Sequence, residues 1–311
     1  MPMIHSFKSR LPVLAIHGGA GDLRPEDLDA EQSAAYQAAL QRVLAAAWSA
    51  LRDGADALDV VTEAGRLLED EPLFNAGKGS VFTAEERHEM DAAVMCGASG
   101  RAGAVAGVTG LRNPVLVARE VLAEKDYVLL SGPGAEAYAR AKGAAFEDAT
   151  YFYTEARHQQ LLRARESDVM ALDHHKYGTI GAVAVDLKGN CAAATSTGGL
   201  TNKKYGRIGD SPIIGAGTFA SNRSCAISCT GYGEPFLLRT AAYQVAARME
   251  FGGASLADAV RATVEEDLMA YDGDGGLIAV GPGGEIVLGY NSAMMYRGWV
   301  GADIEPGWGI A

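Results

Sequence analysis

Past residue 178 the chain places four short apolar runs in succession, TIGAVAVD, CAAATST, PIIGAGTF and SCAISCT, and only then two helical patterns, at about residues 234–250 and 255–270. Two more strand-like runs, GLIAVGP and EIVLGYN, follow. A doubly wound parallel sheet needs a helix after nearly every strand, so strands and helices sorted into blocks predict stacked antiparallel sheets covered by helices. The first half obeys the same rule. LPVLAIHGGAG reads as a strand ending in a glycine loop, two helical patterns follow at about residues 30–51 and 57–68, and short strands are predicted in GSVFT, HEMDAAVMCG and AGAVAGVTG. A helix at about residues 113–124 and a strand at YVLLSG complete this part. The 39 glycines lie mostly at the ends of apolar runs, which suits tight turns between many strands. The expected fold class is α+β, a four-layer αββα sandwich of two antiparallel sheets flanked by helices.

With 48% hydrophobic and 21% charged residues among 311, the chain can bury a core for one large domain or two smaller ones without staples. A net charge of −12 repels nucleic acid and anionic membranes, so neither is an expected partner. Cys96, Cys191, Cys225 and Cys229 show neither CxxC nor metal-finger spacing. The start, MPMIHSFKSR, lacks the apolar core of a signal peptide, and no apolar run approaches the roughly 18 residues of a membrane span. These features predict a protein of the reducing cytoplasm. Residues 147–178 are largely polar, with one helical pattern at about residues 155–164, and form the one candidate linker.

The segment DHHKYGTIGAVAVD, residues 173–186, passes from polar residues straight into an alternating apolar strand at Gly178–Thr179. A β-branched residue opening a strand is one reading of Thr179. A processing site that makes Thr179 a new N-terminus is the other. HGGAG, residues 17–21, has neither the lysine of a P-loop nor dinucleotide-binding spacing. It reads as a loop of close backbone approach beside a site, with His17 a core histidine. His174 and His175 are adjacent and so diverge on any regular element, which argues against a shared metal. Asp91 reads equally as a buried acid and as a strand-end carboxylate. Between Thr195 and Glu234, the runs ATSTGG, TNKKYGRIGDSP and SCTGYGE concentrate hydroxyls, glycines and charges around strand ends. Arg207 and Asp210, three residues apart on a glycine-flanked loop, can present opposite charges to one zwitterion, the guanidinium gripping a carboxylate in bidentate fashion. Such a pair would recognise an amino-acid backbone.

Taken in order and spacing, GTIGAVAVD, ATSTGGLTNK, GRIGDSP, GAGTFA and SCTGYGE resemble the plant-type L-asparaginase/isoaspartyl peptidase family of N-terminal-nucleophile hydrolases. HGGAG, ALDVV, PLFNAGKG, EMDAAVM and AGAVAGV extend the likeness over nearly the whole chain. The resemblance implies self-cleavage after Gly178, giving an α subunit of residues 1–178 and a β subunit of residues 179–311 that together make one folded domain. It further implies hydrolysis of isoaspartyl (β-aspartyl) dipeptides and L-asparagine to L-aspartate through a threonine acyl-enzyme. Thr179 would be the nucleophile, Thr197 would tune its hydroxyl, Thr230 and the Gly231 amide would form an oxyanion hole, and Asn75 would lie close to the nucleophile. Arg207 would hold the substrate α-carboxylate, and Asp210 with the backbone at Gly231 or Gly233 the α-ammonium. The loop from Leu68 to Lys78 looks like the family's sodium-binding loop, with the backbone carbonyls of Leu68, Glu69, Glu71, Phe74, Ala76 and Lys78 around a structural alkali ion. No catalytic cofactor is implied, and the assembly implied is a homodimer of cleaved αβ units.

The chemistry is sound on its own terms. A threonine hydroxyl needs a base, and a freed α-amine with a pKa of about 7.7–8.0 can serve from the same residue. Tyr232, Pro235 and Lys204–Tyr205 depart from the family pattern and bear on substrate preference and cleavage rate. The alternative readings are a glycosylasparaginase-type hydrolase and an unprocessed, non-enzymatic scaffold of the same fold.

Overall fold

The computed structural model describes residues 2–21, 25–166 and 178–310. His174 and His175 lie outside the described residues. In chain order the strands are β1 (Met3–Lys8), β2 (Val13–Gly21), β3 (Met90–Cys96), β4 (Ala102–Val108), β5 (Leu129–Ser131), β6 (Ile180–Val185), β7 (Cys191–Thr197), β8 (Thr218–Ala220), β9 (Ala226–Gly231), β10 (Gly275–Val280), β11 (Glu285–Tyr290), β12 (Met294–Gly301) and β13 (Ile304–Gly309). They form two sheets, of order β13-β12-β2-β6-β7-β3-β4-β5 and β1-β11-β10-β9-β8. All neighbours are antiparallel except β4 and β5, a parallel edge that the expectation of purely antiparallel sheets did not contain.

The near-continuous apolar runs follow from burial on both faces, since a strand between two packed layers has no solvent side. In β6, Ile180, Ala182 and Ala184 join one apolar cluster while Val183 and Val185 join another. The first cluster is covered by helices α1 (Ala30–Arg52), α2 (Ala57–Glu69) and α3 (Pro114–Ala123); the second fills the space between the sheets. A third lies between the smaller sheet and a later group of helices. Three apolar layers separated by two sheets make the αββα sandwich. Local signals set the helix ends. Asp29 accepts the Gln32 amide at 2.7 Å while the Gln32 side chain accepts the Asp29 amide, a capping box that starts α1. Pro114 opens α3, where its missing N–H costs nothing.

Several elements differ from the sequence reading. GSVFT supplies only an isolated bridge from Thr83 to Lys203, and PIIGAGTF an isolated bridge from Ile214 to Thr218 and the first two residues of the short β8. β1, β12 and β13 were not expected from the sequence. The supposed linker carries α4 (Gly132–Ala141) just ahead of it and contains α5 (Ala149–Phe152) and α6 (Glu155–Glu166). It is anchored by buried Phe152 and Leu161 and by Arg157, whose Nε donates to the Gly79 carbonyl at 2.9 Å. The helix expected at residues 234–250 is two, α7 (Gly233–Arg239) and α8 (Ala241–Glu250), broken where Thr240 takes φ 48°. The next begins as α9 (Leu256–Ala262), continues as a π turn over Thr263–Asp267, and ends in a 3-10 turn. Among the described residues no helix is long and apolar enough to cross a membrane.

Candidate active site

Strand parity brings three hydroxyls to one place. Ile180 pairs with Ser196, so Thr179 and Thr197 flank that pair on neighbouring strands, and alternation turns both toward the smaller sheet, as it does Val183 and Thr195. On β9 of that sheet, Ile227 and Cys229 face the outer helices, so Ser228 and Thr230 face inward. Thr179 and Thr230 are both buried. The Thr179 and Ser211 hydroxyl oxygens are 3.2 Å apart, Thr230 Oγ1 accepts the Ala20 amide at 3.1 Å, and Thr197 Oγ1 accepts the Gly199 amide at 2.9 Å. Ser211, unremarked in the sequence, is thus the hydroxyl partner of Thr179, while Thr197 is engaged by its own turn.

The peptide before Thr179 runs in a slot fitted to glycine. A Cβ on Gly178 would lie 2.5 Å from Thr230 Oγ1, and one on Gly19, at φ 117°, would lie 2.5 Å from the Gly178 nitrogen. The expected close approach of HGGAG is therefore against residue 178. Its form differs, for the glycines belong to β2 and the irregularity is a shift in its pairing with β12, between Tyr296 and Arg297. Asn75 is bonded at both ends of its amide, donating to the Gly199 carbonyl at 2.8 Å and accepting the Val81 amide at 3.0 Å. It braces the turn behind Thr197.

Beneath the three threonines lies a buried polar layer. His17 Nε2 is 2.8 Å from Ser228 Oγ, which is 2.7 Å from Thr195 Oγ1. Thr195 is in turn 2.6 Å from Thr218 Oγ1, and Thr218 donates to the Ser211 carbonyl at 3.0 Å. Burial pushes the His17 imidazole down to about 3, against the opposing pull of the Thr179 backbone, so it is a neutral core group that ties the sheets together. Asp91 is buried in β3 opposite Thr197, where burial raises its carboxyl above the usual range despite the nearby Lys203.

At the other end of the site stand the charges. Arg207 is paired in bidentate fashion with Glu234, Nε to Oε1 at 2.9 Å and Nη2 to Oε2 at 2.8 Å. From sequence Glu234 is not read as the partner of Arg207, although SCTGYGE ends in that carboxylate. Asp210 is buried, and its Oδ2 has no hydrogen-bond partner among the described residues. Burial raises its carboxyl to about 7, with Arg207 pulling the other way. Glycine brings the two charges together, since a Cβ on Gly233 would stand 2.8 Å from Asp210 Oδ1 and 2.9 Å from Arg207 Nη2. Gly231 takes φ 142° and lies against the Asp274–Gly275 backbone. Because Ser211 follows Asp210 and Gly233 follows Thr230 at close interval, the hydroxyl and charged ends make one site.

The family described as asparaginase matches residues 10–308. The chain belongs to the asparaginase family. An isoaspartyl peptidase of Salmonella typhimurium is 52% identical over 306 residues, covering 96% of this chain and 98% of that protein. One of Escherichia coli is 50% identical over 306 residues, covering 96% and 95%. A plant-type L-asparaginase of Pyrococcus abyssi is 43% identical over 235 residues, covering 71% and 74%. Within this asparaginase fold, the loop after α2 curls so that the missing side chains of Gly77 and Gly79 leave room beside the carbonyls of Glu69, Phe74 and Pro72. Several expected donors there also accept backbone amides: Leu68 from Glu71, Glu71 from Phe74, Phe74 from Ala76, and Ala76 from Gly79. The four cysteines are free thiols.

Proposed function

We propose that this asparaginase-family chain is a self-cleaving amidohydrolase acting on isoaspartyl dipeptides and L-asparagine. One observation carries the reading: the Gly178–Thr179 bond, the buried Thr179 hydroxyl, the orphaned Asp210 oxygen and the Arg207 guanidinium share one end of the sandwich. An unpaired buried carboxylate oxygen is costly, and a substrate ammonium would relieve that cost. The names of the relatives point the same way.

In this reading Thr179 Oγ1 first attacks the Gly178 carbonyl carbon; collapse of the tetrahedral intermediate breaks the C–N bond, which frees the Thr179 amine and leaves an ester, and water then hydrolyses that ester to release Oγ1 and the Gly178 carboxylate. That amine then takes the hydroxyl proton as Oγ1 attacks the substrate side-chain carbonyl carbon, and passes it to the departing amine. Water closes the cycle by splitting the acyl-enzyme to L-aspartate. Thr230 and the Gly231 amide stabilise the oxyanion, Arg207 holds the α-carboxylate, and Asp210 with the backbone at Gly231 or Gly233 holds the α-ammonium. Thr197 tunes the nucleophile from the neighbouring strand, and Asn75 acts on it indirectly through the turn that it braces.

The loop after α2 suits a structural alkali ion, because carbonyl oxygens converging on side-chain-free glycines are the donors that a hard cation takes. We assign it to the carbonyls of Leu68, Glu69, Glu71, Phe74, Ala76 and Lys78. Its role would be to stiffen the loop that positions Asn75. A dimer of cleaved units completes the proposal. Intact mass of the purified protein before and after incubation, followed by turnover of a β-aspartyl dipeptide and of L-asparagine, tests the whole. Fragments of residues 1–178 and 179–311 with release of L-aspartate are expected; an uncut chain that turns over either substrate, or a cut chain inert to both, would overturn it.

A further inference from the structure

A guanidinium offers two bidentate edges, Nε with Nη2 and Nη1 with Nη2, and Glu234 occupies the first. Arg207 is the more buried of the two, with 13% of its side chain exposed against 36% for Glu234, so the carboxylate reaches the guanidinium from the outer side. The Nη1 edge lies along Gly209, where a Cβ would stand 2.8 Å from Nη1, and Nη2 lies beside Gly233. Gly233 is also the residue beside Asp210 Oδ1. The edge left by Glu234 therefore borders the same side-chain-free position, Gly233, as Oδ1 of the Asp210 carboxylate, whose other oxygen, Oδ2, is the one without a partner.

We propose that Glu234 is a positioning residue for substrate recognition: it grips Arg207 by the Nε edge so that the Nη1–Nη2 edge meets the substrate α-carboxylate. This rests on the substrate-binding role given to Arg207 above. A free arginine side chain samples many rotamers, and a fork fixed on one side loses less entropy when the other side binds. Glu234 also neutralises a mostly buried cation in the empty site, which keeps the guanidinium from turning toward Asp210 and closing the gap.

The opposite role is a competitor, in which substrate displaces Glu234 from Arg207. The two differ in sign. Calorimetric titration of matured wild type, Glu234→Gln and Glu234→Asp with L-aspartate and with β-alanine, which keeps the ammonium but lacks the α-carboxylate, separates them. Positioning predicts that Glu234→Gln weakens L-aspartate by about tenfold, the scale of one charge-assisted contact, leaves β-alanine within about twofold, and is partly rescued by Glu234→Asp. The KM for a β-aspartyl dipeptide should rise in parallel, with kcat changed by less than about twofold. Tighter L-aspartate binding in Glu234→Gln would establish the competitor and overturn the proposal. Unchanged binding would reduce the pair to a salt bridge without function, and equal weakening of both ligands would mean general distortion; either overturns it. Absence of turnover by wild type would defeat the amidohydrolase reading alone, because L-aspartate affinity still reports on Glu234.

Discussion

The two ends of the site are built by different means. At the hydroxyl end, Thr179, Thr197 and Thr230 owe their meeting to strand register, and their partners are hydroxyls and backbone amides. At the charged end, Arg207, Asp210 and Glu234 sit on a loop and the first turn of α7, held by a bidentate ion pair and by glycines that leave room. Ladder hydrogen bonds fix the first end whether or not any one side chain is present. The second depends on side chains bonding to side chains. A substitution at the hydroxyl end should therefore strike the chemical steps and spare recognition, and one at the charged end the reverse.

Four measurements can break that division. The largest effect is expected for Thr179→Ala, which removes the attacking oxygen from both reactions. No fragment beginning at residue 179 should appear by intact mass, and turnover should fall by about four orders of magnitude or more. Cleavage at the same bond in the variant would end the argument. Thr230→Ala comes next. Loss of one oxyanion donor costs about 2.7–4 kcal/mol, or about 100- to 1000-fold in kcat. Since Thr230 Oγ1 also accepts the Ala20 amide beside Gly178, self-cleavage should slow as well, and time-resolved mass spectrometry reads both.

Arg207→Ala should leave cleavage intact and lower kcat/KM by about 10- to 150-fold on both substrates, from a charge-assisted contact of roughly 1.5–3 kcal/mol. Arg207→Lys should recover little, because a point charge cannot reproduce a fork gripped on two edges. A variant that fails to cleave would show that the two ends are coupled. The smallest effect concerns pH. With burial holding Asp210 at about 7 in the free protein, protonation below that value removes the partner of the ammonium. Thus Asp210 should add to the fall of kcat/KM as pH drops through about 7, whereas kcat, read with substrate bound, should carry only the acid limb of the Thr179 amine. Folding runs the other way: a carboxyl raised in the native state stabilises it while protonated, and that stability is lost as pH rises through about 7. Asp210→Asn should remove the Asp210 share of both dependences and leave the limb of the Thr179 amine in the rates, as pH series of steady-state rates and of Tm would show.

Sequence made the hydroxyl end more legible than the charged end for the same reason. Register follows from apolar alternation, and TIGAVAVD and CAAATST display theirs openly, whereas the partner of Arg207 is 27 residues away and its identity depends on how a loop meets a helix. Ser211 was hidden in plain view, since only the fold turns it toward Thr179. Strands went unread where the alternation was blurred. β1 is a half-exposed edge strand with polar residues, β12 carries Arg297, and β13 contains Pro306 and two glycines. The break at Thr240 has no glycine to announce it, and the parallel edge of β4 and β5 depends on a crossover through α3 that composition does not reveal. Conversely GSVFT has the β-branched and aromatic content of a strand, yet its backbone is spent bracing the turn that carries Asn75.

The strand order of the larger sheet has a further consequence. β2 lies between β12 and β6, and β3 beside β7, while β1 lines β11 in the other sheet, so strands from either side of residue 178 are interdigitated. A cut at Gly178–Thr179 would add two chain ends without exposing one new sheet edge, and the severed pieces would hold together through whole ladders. What changes is molecularity. An intact chain unfolds in a first-order event, but a cut one must come apart into two polypeptides, so its melting midpoint should rise with protein concentration. Recovery after denaturation then requires an encounter between partners rather than a search within one chain, and the matured molecule would be easier to lose in dilute solution than its precursor.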